Sequence, residues 1–246
     1  MTTLLVVQND WDKPIGRVGN ALVDNGATLD VRMSGEELPD LDGYDGLIVL
    51  PGLADPGDDD PAVHRTLALL EEAVGRGLPA LGLCLGGQLL AHALGGDTYR
   101  SGDERGYREI WATEAAAQDP LLGGAPSRFE AFHAHAFAFR PPANAVVLFE
   151  NDVCVQAFRL GSAWALQFHP EVTVEGVDTL ARGIRGEIDG IDPRTVSFFR
   201  DAGADPAELE AGARRAADTA RRVALSVARG FVGQCREASA TGCSRA

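Results

Sequence analysis

PALGLCLGGQLLAHAL, residues Pro79 to Leu94, is the stretch that decides how the chain is read. Pro79 to Leu83 is a short apolar run with the length of a fully buried parallel strand. Gln88 to Leu94 repeats leucine and alanine at helical spacing and stops at Gly95-Gly96. Between them lies Gly82-Leu83-Cys84-Leu85-Gly86, followed by Gly87, a strand-to-helix corner with a cysteine at its apex. Glycines let the backbone turn sharply and let neighbouring elements come close, so the apical side chain projects. The unpaired N–H groups of the following helix favour a thiolate there. A lone cysteine is more simply read as a small core residue. The glycine frame and the switch from strand to helix favour a nucleophile instead. The rest of the chain must then supply a base, an orienting acid and oxyanion donors.

Upstream of the corner, Thr3–Gln8, Thr28–Met33 and Gly46–Leu50 read as strands, with a helix over Arg17–Asn25 stopped by Gly26. Asp60 caps a second helix, Pro61 is its first residue, and Val63, Leu67, Leu70 and Val74 share one face up to Gly75. The cap and a solvated loop account for the aspartates from Asp55 to Asp60 without a cation. This β-α alternation with short turns is the signature of a parallel sheet in an α/β fold.

Downstream, Asp97–Arg100, Glu109–Thr113, Arg128–Phe132, Ala136–Phe139, Ala145–Glu150 and Val153–Leu160 are short strand-like segments, expected to form a small antiparallel sheet beside the main one. Ala163–Phe168 returns to a buried strand and ends at His169-Pro170-Glu171. From Val174 the chain reads as helical. Leu209, Ala213, Ala216, Ala220, Val223, Val227 and Phe231 form an apolar seam on a helix of about six turns. That seam packs on the chain's own core, or else carries a homo-oligomer contact. Gln234–Ala246 is expected to be a frayed tail.

Bulk properties narrow the function classes. With 246 residues the chain can bury a full core, and its 45% hydrophobic and 24% charged residues are ordinary for a globular protein. Acidic residues outnumber basic ones 36 to 22, a net charge of −14, which argues against nucleic acid or an anionic membrane as partner. Cys84, Cys154, Cys235 and Cys243 show no CxxC spacing, so neither a zinc ribbon nor a disulfide framework is expected. With no long apolar run, a cytoplasmic location is expected. No phosphate-binding glycine loop or other cofactor motif is present, and no cofactor is expected.

His169 stands at the end of a buried strand, where α/β sheets place their sites, and Glu171 lies two residues on. A carboxylate there can hold one imidazole nitrogen while the other faces a sulfur, the logic of a Cys-His-Glu triad. His133 and His135 share a face of a strand-like segment, but two ligands do not make a metal site and none is expected. His64 and His92 fall on helices and read as structural or exposed, and Cys154 as strand packing.

GLCLGGQLLA around Cys84, together with LQFHPE ending at Glu171, resembles the class I glutamine amidotransferases, in particular a stand-alone branch similar to the glutaminase part of GMP synthase. The resemblance extends over Asp40–Gly52, Glu104–Tyr107 and Val155–Gly161, and so over most of residues 1–185. It implies a flavodoxin-like sheet with a small additional sheet. An amidotransferase-like domain over 1–190 and a C-terminal helical extension over 191–246 are then expected. By motif, Cys84 is the implied nucleophile, His169 the acid/base and Glu171 its orienter. Gly52 and Leu85 are the implied oxyanion donors, and Gln88 and His135 the implied substrate-binding residues. The family segment around His135 carries an aspartate two residues later, where this chain has Phe137. The implied reaction is release of ammonia from glutamine through a Cys84 thioester, with a separate synthetase as possible ammonia acceptor. A γ-glutamyl peptidase or hydrolase is the alternative. The third reading is a regulatory protein without catalysis, acting as a subunit of another enzyme.

Overall fold

A computed structural model describes residues 1–242; Cys243 and the last part of the expected tail lie outside them. Among these residues, strands β1 (Thr2–Gln8), β2 (Ala27–Met33), β3 (Gly46–Val49), β4 (Ala80–Leu83), β5 (Asp97–Ala112), β6 (Arg128–Arg140), β7 (Val146–Glu150), β8 (Val155–Leu160) and β9 (Ala163–Leu166) form one sheet. Its order is β2-β1-β3-β4-β9-β8-β7-β5-β6. The first five neighbours run parallel, an order in which chain direction reverses outward from β1 as in flavodoxin-like folds. The antiparallel strands are hydrogen-bonded onto this parallel part through β9 and β8, so the smaller sheet continues the main one.

β1, β3, β4 and β9 are buried almost throughout, which is why their sequences are continuous apolar runs with no alternation. Helices α1 (Gly16–Asp24), α2 (Pro61–Gly75) and α3 (Leu85–Ala93) connect the parallel strands. The Asp60 carboxylate accepts the Ala62 N–H at 2.7 Å and starts α2 as expected. α3 begins directly after Cys84, earlier than its apolar repeat suggests. The remaining helices are α4 (Val174–Arg185), α5 (Pro193–Arg200) and α6 (Pro206–Thr241).

Two layers of core sandwich the sheet. One face packs Leu4, Val6, Ile48, Leu81 and Trp164 against α1 and against Val223, Val227 and Phe231 of α6. The other packs Leu5, Val7, Leu47 and Val49 against α2 and α3. The apolar seam of α6 is therefore covered by the chain's own core. The frayed tail expected from Gln234 is corrected over its first part, since α6 runs unbroken to Thr241. Cys235 is fully buried against Gly46, Arg236 donates to the Asn25 carbonyl at 2.9 Å, and Ser239 donates to Asp45 at 2.6 Å. No described helix is long and apolar enough to cross a membrane.

Candidate active site

Cys84 sits at the corner between β4 and α3 with φ 50° and ψ −108°, a backbone conformation that side-chain-bearing residues rarely adopt. The glycines around it are required by space. A Cβ on Gly82 would overlap the Gly86 backbone, and one on Gly86 would overlap the Val49 carbonyl. The corner can only be this tight with bare backbone on both sides. Leu85 is the first residue of α3, so its N–H has no carbonyl within the helix to bond.

β9 lies beside β4, with Leu166 opposite Leu83. The Cys84 N–H donates to the Leu166 carbonyl at 2.7 Å. The chain leaving β9 therefore carries His169 and Glu171 past the sulfur. His169 Nδ1 lies 2.7 Å from Glu171 Oε1, and both side chains are buried. His169 Nε2 has no hydrogen-bond partner of full geometry, and the Cys84 sulfur lies close enough to favour its protonation. Burial opposes the charged imidazolium. The Glu171 carboxylate, then the sulfur, outweigh it and raise His169 to about 10. The Arg17 N–H at the start of α1 donates to the Glu171 carbonyl at 3.0 Å, and Thr173 caps α4, so two helix starts fix this turn.

Gly52 follows β3 and packs so that a Cβ would lie 2.6 Å from Leu85 Cδ2 and 2.9 Å from Asn9 Cβ. The Asn9 amide donates to the Leu50 carbonyl at 2.6 Å, and the Asp10 carboxylate accepts the Leu53 N–H at 2.7 Å. The loop after β1 thus clamps the Gly52 corner from both sides.

Gly52, Cys84, His169 and Glu171 all line one cavity of about 370 Å³. A thiol beside an imidazole held by a carboxylate, with two backbone amides nearby, is the equipment of acyl transfer. Gln88 and His135 do not line this cavity. Gln88 donates to the Phe137 carbonyl at 2.7 Å and to Gln167 Oε1 at 3.3 Å, and Gln167 donates to Cys84 Sγ at 3.6 Å. His135 lies 3.3 Å from Glu104, whose carboxylate also stands beside His133. Glu104 is the third donor that the spacing of the two histidines did not supply.

A family model described as "Glutamine amidotransferase class-I" matches residues 16–180. The chain belongs to the class I glutamine amidotransferase family. Its relatives include one of the subunits of the glutamine-hydrolyzing GMP synthase of Halobacterium salinarum, 33% identical over 187 residues, covering 72% of this chain and 93% of the relative. Another is the glutamine-hydrolyzing GMP synthase of Aeropyrum pernix, 39% identical over 143 residues. That match covers 56% of this chain but only 26% of the relative, so this amidotransferase spans about a quarter of that enzyme's length. A glutamine amidotransferase structure from Thermotoga maritima shares the fold with a TM-score of 0.81, 23% identity, and coverage of 94% of this chain and 98% of that one. One from Methylobacillus flagellatus gives a TM-score of 0.79 at 26% identity, covering 95% of each chain.

The walls of the amidotransferase cavity include residues that sequence reading missed. Trp11, Asp12 and Lys13 come from the loop after β1, and Ile191, Phe198 and Phe199 from the α4–α5 region. Lys13, the single lysine of the chain, is tied to Asp12 at 2.9 Å and to the Thr195 hydroxyl at 2.9 Å, joining the two segments across the cavity. The available signal was position alone, because a loop at the carboxyl end of a parallel strand faces the site in such sheets.

Proposed function

We propose that this amidotransferase hydrolyses the side-chain amide of glutamine through a Cys84 thioester. The observation that carries the reading is that Cys84 and the hydrogen-bonded His169–Glu171 pair open onto one cavity with Gly52. The Cys84 thiolate attacks the amide carbon, and the Leu85 and Gly52 N–H groups hold the oxyanion, a contribution of about 3 kcal/mol per donor in comparable sites. His169 gives its proton to the departing nitrogen, and ammonia leaves. A water then loses a proton to His169 and attacks the thioester, which releases glutamate and restores the thiol. Gln88 acts through Gln167 on the sulfur, and His135 acts through the strand that carries Ala134 to the cavity wall. The ammonia acceptor is a separate synthetase chain, a reading supported by the Halobacterium relative being one of several subunits by name.

The test is ammonia release from glutamine. Wild type should release it and Cys84→Ala should not; equal release by both removes Cys84 from the reaction. A second reading, a γ-glutamyl amine or peptide as substrate, is favoured by the apolar wall of Phe132, Leu180, Ile191, Phe198 and Phe199. Turnover of such compounds by wild type with glutamine left intact would select it.

A further inference from the structure

His133 is fully buried, and neither of its ring nitrogens has a hydrogen-bond partner. Leaving such groups bare in the interior costs about 1–3 kcal/mol each, so an orphaned imidazole in a packed core calls for a ligand. His135, two residues along β6 and 3% exposed, also has both nitrogens without partners of full geometry. The strand alternation puts both rings on one face, with centroids 5.7 Å apart. β5 pairs with β6 so that Glu104 lies opposite His135, just past an irregularity in register between Arg100 and Glu104. One donor atom from each of Glu104, His133 and His135 falls within 4.8 Å of the other two, and all three residues are buried.

We propose that Glu104, His133 and His135 form a binding site for a divalent transition-metal ion of the zinc type. Two imidazoles and one carboxylate are a donor set that suits such ions. The spacing fits as well. His135 Nε2 lies 3.3 Å from Glu104 Oε2, too far for a good charge-assisted hydrogen bond. It is close to the ~3.3 Å edge of a tetrahedron whose metal–ligand arms are about 2.0 Å. The carboxylate has the outer-shell support that metal ligands need. Asn151 Nδ2 donates to Oε1 at 2.7 Å and Gln156 Nε2 to Oε2 at 3.0 Å. Cys154 Sγ lies 3.6 Å from Oε2, beside the position left open by three protein ligands. The ion would lock β5 to β6 directly behind Ala134, whose carbonyl lies 4.0 Å from Cys84 Sγ.

The site is enclosed, so metal must be supplied while the chain folds. The full-length protein is expressed with zinc in the medium, or refolded with it, then passed through metal-free buffer, and its zinc content is measured by mass spectrometry. About one zinc per chain is expected for wild type, and a several-fold loss for His133→Asn and for Glu104→Gln. Wild type without zinc after both treatments would overturn the site, as would full retention by both variants. X-ray absorption of the zinc-loaded wild type serves if a variant fails to fold. Scattering from two imidazoles is expected, and its absence sinks the assignment.

Discussion

Cys84 holds a backbone conformation in which a Cβ is unwelcome, a strain of about 1–3 kcal/mol in comparable positions. The strain sets the sulfur ahead of the helix end. It also makes the usual ranking of Gly and Ala reverse here. Cys84→Gly should melt about 2–4 °C above Cys84→Ala, whereas at ordinary positions glycine is the worse replacement. Thermal denaturation of both inactive variants checks this, and an equal or lower midpoint for the glycine variant would show the corner to be relaxed.

His169 titrates far above its usual value of ~6.5 in the folded chain, up to about 10, so between those values the folded state holds a proton that the unfolded state has lost. The stability this confers is complete below ~6.5 and is lost as pH rises through about 10. Glu171 is the leading group raising that value against burial. In Glu171→Gln the alkaline limb of kcat/KM for ammonia release should therefore move down toward neutrality, and the fall of melting temperature between pH 7 and 10 should flatten. An unchanged alkaline limb would mean that the carboxylate does not set the charge of the ring.

At the scale of elements, the loop after β1 matters through what it holds. Asp10 accepts the Leu53 N–H and Asn9 grips the Leu50 carbonyl, so the Gly52 amide is aimed by side chains that touch no substrate in the proposed reaction. Asp10→Ala should lower kcat about tenfold while costing about 1 kcal/mol of stability, measured by ammonia release and urea unfolding. Gly86→Ala should do greater harm to folding, because its Cβ has only the Val49 carbonyl to displace. A loss of about 1–3 kcal/mol or more is expected in the urea midpoint. The corner itself was legible in the sequence because everything that makes it is local: four apolar residues, a glycine frame and a helical repeat. β5 was not. It runs for sixteen residues through Arg100, Asp103, Glu104 and Arg105, mostly outward-facing and without clean alternation, and no hydrophobic period marks it as one strand. The Lys13–Thr195 tie was hidden for a different reason, since its ends lie 182 residues apart.

Across the whole molecule, α6 belongs to the core that the sheet builds. Its last turns were misread as a tail because their covered side is small: Cys235 inserts at Gly46, and the remaining contacts are hydrogen bonds from Arg236 and Ser239. Ending the chain after Gly233 should uncover the entry to β3 and cost about 2–3 kcal/mol in urea unfolding. A truncated chain as stable as the full one would show those turns to be dispensable.

The pairing of β4 with β9 sets Ala80 against Ala163, so the two halves of the site are joined across more than eighty residues of intervening chain. During synthesis the cysteine leaves the ribosome long before the histidine exists. Until β9 inserts between β4 and β8, the thiol at residue 84 has neither the imidazole beside it nor the glutamine that donates to its sulfur. Its reactivity toward oxidants and electrophiles follows thiolate character, so the unfinished polypeptide carries an ordinary, sluggish sulfhydryl. Closure of the last central strand both completes the sheet and arms the nucleophile, and the vulnerable form of the cysteine exists only where the fold already shelters it.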